Sequence, residues 1–373
     1  MIIDISDSEF KKILEDERLH LPIRWDGSDF TKTLENLFSN YIRKLESVSQ
    51  IERYGRHIHL DVNNVKSVCG FLQRAVKYYL NGYPAKAYET FESYMYKFME
   101  TNFSIYNGVG KKQFENDDLR LFRVAKVNDN RPYKRERLFH TPYNLRSKVS
   151  TSRYSIAGFP SLYLGTTLEL CCNEIHVNPQ QDFVLASMFK IEKNTCYTNT
   201  NIKIIDLGIK PQDFLYENEE ENLLRGRRLD MYSQSSSLDD SEIKAKYLLI
   251  YPLIAACSFI RTNKDDPFAA EYIIPQLLMQ WVRSEFRLND EYDIDELVGI
   301  RYFSCASVKS SEKGFNYVFP TSGECIAPDL PYCPILAKTL RLTQPVYIHE
   351  YDTVEKCEYY LRKINVFDMI KNE

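Results

Sequence analysis

Residues 152–175, SRYSIAGFPSLYLGTTLELCCNEI, constrain this 373-residue chain more than any other segment. Arg153 and Tyr154 set a planar cation beside an aromatic ring. Gly158 and Pro160 break the chain after them. The short apolar run 162–164, centred on Tyr163, predicts a buried strand. Thr166 or Thr167 is suited to cap the segment that follows. In that segment Leu170 and Glu174 are four apart, so on a helix they share a face. That face carries a carboxylate towards the apolar side, where it is costly without a partner. Arg, Tyr and Glu thus fall on one strand-to-helix unit.

Residues 1–105 read as helical. Ser6 and Glu9 have the spacing of a capping box. Leu34, Leu37, Tyr41, Leu45 and Val48 recur at helical period. A second such pattern fills 62–80 and stops at Asn81-Gly82. Pro84 opens a third, through Phe91, Tyr94 and Phe98. The reading is a helical hairpin, 62–80 against 84–99, in an N-terminal domain of residues 1–117. That domain is either a structural cap or a regulatory module, since nothing in it resembles a catalytic cluster. His57 and His59 read as an exposed turn rather than a metal pair. Residues 106–118 suit a linker, and the sequon at Asn102 is given no weight. Asn107 to Lys112 fails as a phosphate loop: the glycine offset is wrong and Lys111 is followed by Lys112, not Ser or Thr.

From residue 119 the pattern changes to short strands, at 121–125, 183–189, 203–207, 298–304 and 317–320. Arg123 lies inside the first, although Arg is seldom fully buried unless paired. The basic run 131–137 reads as a solvated loop. His140, in Phe-His-Thr-Pro, stays open between a structural role and a place in a site. Residues 217–241, with opposed charge blocks and a Ser cluster, suggest an exposed insertion. Residues 244–260 suggest a helix kinked at Pro252. Asp266-Pro267 has the form of a helix start, for a helix reaching about Arg283 and bent at Pro275. Thr353 opens a final short helix.

Composition excludes several classes. A net charge of −4 argues against a dedicated nucleic-acid binder. Nine cysteines, irregularly spaced and without a C-x-x-C, argue against a disulfide framework and for a reducing, cytoplasmic setting. The acidic N-terminus does not read as a signal peptide. The most apolar run, 247–260, is shorter than the roughly 18 residues a membrane span needs. Cys171, Cys172, Glu174 and His176 lack the spacing of a zinc site, so no metal is implied. There is no G-x-G-x-x-G fingerprint, and Ser304 lacks a G-x-S-x-G elbow.

Three separated motifs resemble one family. The run FHTPYNLRSKVSTSRYSIAGFPSLYLGTTLELCCNEI is similar to the core of the RES family, named for an Arg, a Glu and a Ser. Upstream, LFRVAK supplies Arg123. Downstream, EYIIPQLLMQW and then GIRYFSCAS supply Ser304. The resemblance spans roughly residues 118–345. It implies an α+β fold with an ADP-ribosyltransferase-like β-core, preceded by the helical domain. It makes residues 118–373 a catalytic domain that ends in a helix, and it draws Glu271 and Gln276 into the core.

The resemblance also implies an enzyme that consumes NAD+ as substrate, with no cofactor, and a toxin or defence role. The glycosidic bond to nicotinamide breaks through an oxocarbenium-like cation, which a carboxylate beneath the ribose can stabilise. Glu174 takes that part. Arg123 and Arg153 suit the pyrophosphate, because a guanidinium pairs bidentately with phosphate. Tyr163 and Tyr154 suit stacking on a flat ring, and Ser304 suits a hydrogen bond to ribose or phosphate. Water, phosphate or a protein can then capture the cation; breakdown by hydrolysis or phosphorolysis is favoured over protein ADP-ribosylation. The rival readings are that transferase, a non-catalytic module with a vestigial pocket, and a plain Arg–Glu core salt bridge. An antitoxin or regulatory partner and a homodimer are compatible with the resemblance; nucleic acid and membrane are not implied.

Overall fold

The structure, a computed structural model, describes residues 1–48, 57–101, 120–191, 200–215, 240–263, 265–285, 295–321 and 331–368. The linker expected at 106–118, the phosphate-loop look-alike, the sequon at Asn102 and positions 217–239 of the expected insertion lie outside the described residues. In chain order the elements begin β1 (Ile2–Ile5), α1 (Asp7–Leu14), α2 (Phe30–Glu46), β2 (Ile58–Asp61), α3 (Val62–Leu80) and α4 (Pro84–Thr101). There follow β3 (Arg120–Val127), β4 (Ser161–Gly165), α5 (Leu168–Glu174), β5 (Phe183–Ile191) and β6 (Thr200–Leu207). Then come α6 (Asp240–Ala256), α7 (Ile273–Glu285), β7 (Asp295–Phe303) and β8 (Phe315–Pro320). The chain closes with α8 (Pro334–Thr339), β9 (Leu340–Leu342), β10 (Val346–Tyr347) and α9 (Val354–Lys363). This is an α+β protein.

The chain forms two compact units, and both are discontinuous in sequence. One comprises Met1–Val109 with Leu207–Trp281, the other Gly110–Asp206 with Val282–Glu373. The boundary read from the sequence at residue 117 assigned 207–281 to the second domain, whereas that segment groups with the N-terminal helices. The reason lies in α6. Its residues from Tyr247 to Ala256 are almost all buried, on every side of the helix, and a helix apolar all round must be enclosed. Tyr41 donates its hydroxyl to the Leu248 carbonyl at 2.6 Å, and Tyr251 does the same to Leu19 at 2.9 Å. The phenols fill the core and satisfy carbonyls that water cannot reach.

The local signals in this unit act as the sequence suggests. Ser6 accepts from Glu9 N at 3.3 Å while the Glu9 carboxylate accepts from Ser6 N at 3.0 Å, closing the capping box. The hairpin α3–α4 packs through Phe71, stacked on Tyr94 at 3.8 Å. Two readings need correction. His57 and His59 do not form a turn: β2 begins at Ile58 and pairs with β1, and His59 Nδ1 meets Asp4 Oδ1 at 2.5 Å. Asp266-Pro267 does not open the next helix: a short 3-10 turn, Ala270–Tyr272, precedes α7 at Ile273. Pro275 therefore lies in the first turn, where its missing N–H costs no intrahelical bond, so it has no cause to bend the helix. Glu271 is 3% exposed and accepts from Thr262 N at 3.1 Å.

The second unit is built on an eight-stranded sheet in the order β10-β5-β3-β4-β8-β7-β6, with β9 added alongside β5. One face packs Leu121, Leu162, Leu164, Tyr317 and Phe319 with Leu336 of α8. The other packs Phe122, Val184 and Met188 with Leu168 of α5 and Leu361 of α9. Alternation along each strand divides the two sets. The register puts Phe122, Gly165, Asn316 and Tyr302 in one row across β3, β4, β8 and β7. That row lies on the face covered by α5.

Candidate functional site

Glu174 is placed by both ends of α5. Thr167 caps the start, accepting from Leu170 N at 3.2 Å. Glu358 Oε2 accepts from Leu168 N at 2.8 Å, putting a carboxylate where the helix dipole is positive. At the other end Val177 N donates to Cys172 O and His176 N to Asn173 O. This is a Schellman stop, with His176 at φ 53°, where glycine is usual. Cys171 ties the helix to the sheet, its thiol donating to Phe122 O at 3.3 Å. Gly165 permits the close approach: a Cβ there would stand 2.7 Å from Cys171 Sγ. Glu174, the last residue of the helix, is thereby brought over the row, where Asn316 Nδ2 donates to its Oε1 at 2.7 Å.

The Arg153–Tyr154 loop is held from β4. Ser152 and Ser155 exchange backbone hydrogen bonds of 2.8 and 3.1 Å. The Tyr163 hydroxyl gathers this turn, accepting from Tyr154 N at 3.2 Å and bonding Ser152 and Ser155 hydroxyls at 2.8 and 2.9 Å. Arg283, at the end of α7, clamps the neighbouring strand ends, with 2.7 Å bonds to the Thr321 and Pro160 carbonyls.

Tyr302 is the residue on which the central motif acts. The Tyr154 ring lies 4.8 Å from the Tyr302 ring. Burial holds the Tyr302 phenol well above its ordinary titration range; Glu174 and Tyr163 push it further up and Arg153 opposes them. Tyr302 therefore stays a neutral wall. Tyr154 is fully buried, so in this structure its ring faces Tyr302 rather than an open surface. Arg153 is 8% exposed.

Arg123 follows Phe122 in β3, where pairing with β4 has ended: the two strands share a single bridge, Phe122 with Gly165. Its Nη1 is buried without a hydrogen-bond partner among the described residues. Burial lowers its titration to about 10, with Arg137 adding to the effect and Cys171 and Tyr163 opposing it. It remains a cation at neutral pH. Cys171 feels the charge of Glu174 as well. Arg123 and Glu174 form no ion pair with each other among the described residues. Among the described residues the buried salt bridge of this sheet is Arg301 with Asp206, its Nε–Oδ1 bond 2.8 Å.

Ser304 is fully buried just beyond β7, and its hydroxyl accepts from Ala306 N at 3.2 Å. Among the described residues it serves this turn, and no hydrogen bond joins it to Glu174 or the arginines. His140 is also fully buried. Cys333 N donates to its Nε2 at 2.8 Å, which puts the ring proton on Nδ1, facing the Thr141 carbonyl at 2.9 Å. Burial, joined by the charges of Arg123 and Arg283, holds its titration down to about 4. It is a neutral strut, not a proton carrier at neutral pH.

Sequence reasoning missed Tyr302, Asn316 and Arg283 as site residues. Tyr302 stood inside the GIRYFSCAS motif, so a signal was present. Asn316 and Arg283 had none, because their partners are distant in sequence.

The geometry defines an α+β protein with the Glu174 carboxylate hydrogen-bonded to Asn316 over the face of the sheet that carries Tyr302. The chain is similar to a protein of Bacillus subtilis (strain 168) described as "Putative toxin YopC", 26% identical over 338 residues, covering 88% of this chain and 69% of that protein. No protein-family model matches the chain, and no solved structure matches it. Among the described residues no helix is long and apolar enough to cross a membrane.

Proposed function

We propose that the protein is a toxin that destroys NAD+ by breaking the bond between nicotinamide and ribose. The observation that carries this reading is the Tyr154 ring 4.8 Å from Tyr302, a phenol that also feels Glu174, Tyr163 and Arg153, together with a half-buried Arg123 whose Nη1 is buried and has no partner among the described residues. A buried guanidinium nitrogen without an acceptor is costly, and a diphosphate oxygen supplies what it lacks. The RES-like motifs and the similarity to a protein described as a toxin support the same reading.

In this mechanism Arg123 and Arg153 hold the diphosphate, and Tyr163 keeps the Arg153 loop in place. Nicotinamide leaves neutral, so no general acid is needed, which agrees with the neutral His140 and Tyr302. The Glu174 carboxylate lies beneath the ribose and stabilises the cation as it forms. Ser304 acts through the turn that follows Tyr302. Water or phosphate then captures the cation. No step requires a metal or a redox cofactor, since NAD+ is the substrate. In a cell such an activity requires restraint, and an antitoxin is the natural partner.

Purified protein incubated with NAD+ should release nicotinamide. Mass analysis then identifies the acceptor: ADP-ribose for water, its 1″-phosphate for phosphate. Most of the ADP-ribose on a protein band would replace this reading by the transferase. Absence of nicotinamide release would leave it without support.

A further inference from the structure

We propose that Asn316 is the positioning residue for Glu174, a role that rests on reading Glu174 as the carboxylate beneath the ribose. Asn316 is 4% exposed, on β8 in the middle of the sheet. Its Nδ2 lies 2.7 Å from Glu174 Oε1. A carboxylate can only accept, so the amide must turn its NH2 group towards it. Among the described residues this is the one hydrogen bond to the Glu174 side chain. The second oxygen receives no protein donor there and is the one a ribose hydroxyl can approach.

The row beneath α5 confines this amide. On one side is Gly165, where a Cβ would stand at ordinary contact, 3.6 Å from Asn316 Oδ1. On the other side is Tyr302, which burial keeps neutral. Gly165 thus lets α5, with its last carboxylate, approach the row. Ser304, the sequence-derived candidate for orienting the substrate, is engaged with Ala306 N instead. Asn316 touches neither the ribose nor the breaking bond in this scheme; it acts through Glu174.

The test uses the full chain with Asn316→Asp and Asn316→Ser. Asn316→Asp sets a second carboxyl against the first, and two carboxyls at such a distance share one proton. The variant should therefore take up one proton more than the parent on acidification from about pH 8 to about pH 5, measured by difference potentiometry without NAD+. Its nicotinamide release should be lost at the alkaline end and recover as the shared proton is bound. Asn316→Ser, which cannot reach Glu174, should lower kcat by about 10²-fold with KM little changed and without that recovery. Parent-like pH profiles and kcat in both folded variants, or no extra proton uptake, would overturn the role of Asn316. A parent chain that releases no nicotinamide would instead remove the reading on which the role rests, whatever the titration shows.

Discussion

Acidification should destabilise the sheet unit through His140. The unfolded chain binds a proton on this ring near the ordinary value of 6.5, but the folded ring resists until about 4. Burial is the main cause; the Thr141 carbonyl opposes it, and the charges of Arg123 and Arg283 add to it. The folded value is depressed, so below 6.5 the unfolded state binds the extra proton and stability falls with pH. The contribution is complete above pH 6.5 and is lost on descent towards pH 4. At about 1.36 kcal/mol per pH unit, the whole span is worth about 3 kcal/mol, of which about 2 kcal/mol has gone by pH 5. For a unit of this size that is a fall of about 4–8 °C in Tm. Other groups also titrate, so the measurement is a difference. Thermal unfolding of the parent at pH 7.5 and 5 is compared with that of His140→Gln, which can still accept from Cys333 N but cannot ionise. The parent should lose more stability than the variant. Equal losses would refute the claim that His140 is held neutral.

Three further perturbations separate site from scaffold. Glu174→Gln removes the charge at nearly constant volume and should cut nicotinamide release by about 10²–10³-fold while the unfolding transition stays put; parent-like turnover would dismiss Glu174 as the cation stabiliser. Gly165→Ala drives a methyl group against Cys171 Sγ and should cost about 1–3 kcal/mol in thermal unfolding, with activity falling as the end of α5 is displaced. Deleting residues 1–105 strips the partners from α6, including the Tyr41 and Tyr251 contacts. The shortened chain should therefore be aggregation-prone and show lower helicity by circular dichroism than its remaining helices account for.

The sequence spoke most clearly where the signal was local. The bounds of α3 follow from an apolar stripe and an Asn-Gly stop, and the start of α9 from Thr353. It misled where two local signals competed: Asp266-Pro267 has the chemistry of a helix start, yet the chain spends those residues reaching a 3-10 turn. It set one boundary at residue 117 and gave no sign that 207–281 group with the N-terminal helices, because α6 is apolar all round and shows no face from which its partners could be inferred. The candidate site follows the same rule. Arg153, Tyr154, Tyr163 and Glu174 lie on one short segment, and a strand followed by a helix can bring them together. Asn316 looks like any polar residue in a strand, and its meaning depends on an element 142 residues away. His140 could not be decided from its neighbours in sequence either, since its second hydrogen bond comes from Cys333.

The discontinuity of the two units sets an order on synthesis. Residues 1–109 emerge from the ribosome with an apolar face that waits for α6, more than a hundred residues later. The first strands of the sheet emerge next, and β4 waits in turn for β8, its Gly165 for Asn316. Each unit is left open until part of the other has been made, so neither can close early in translation. Glu174 gains its orienting amide only when β8 arrives.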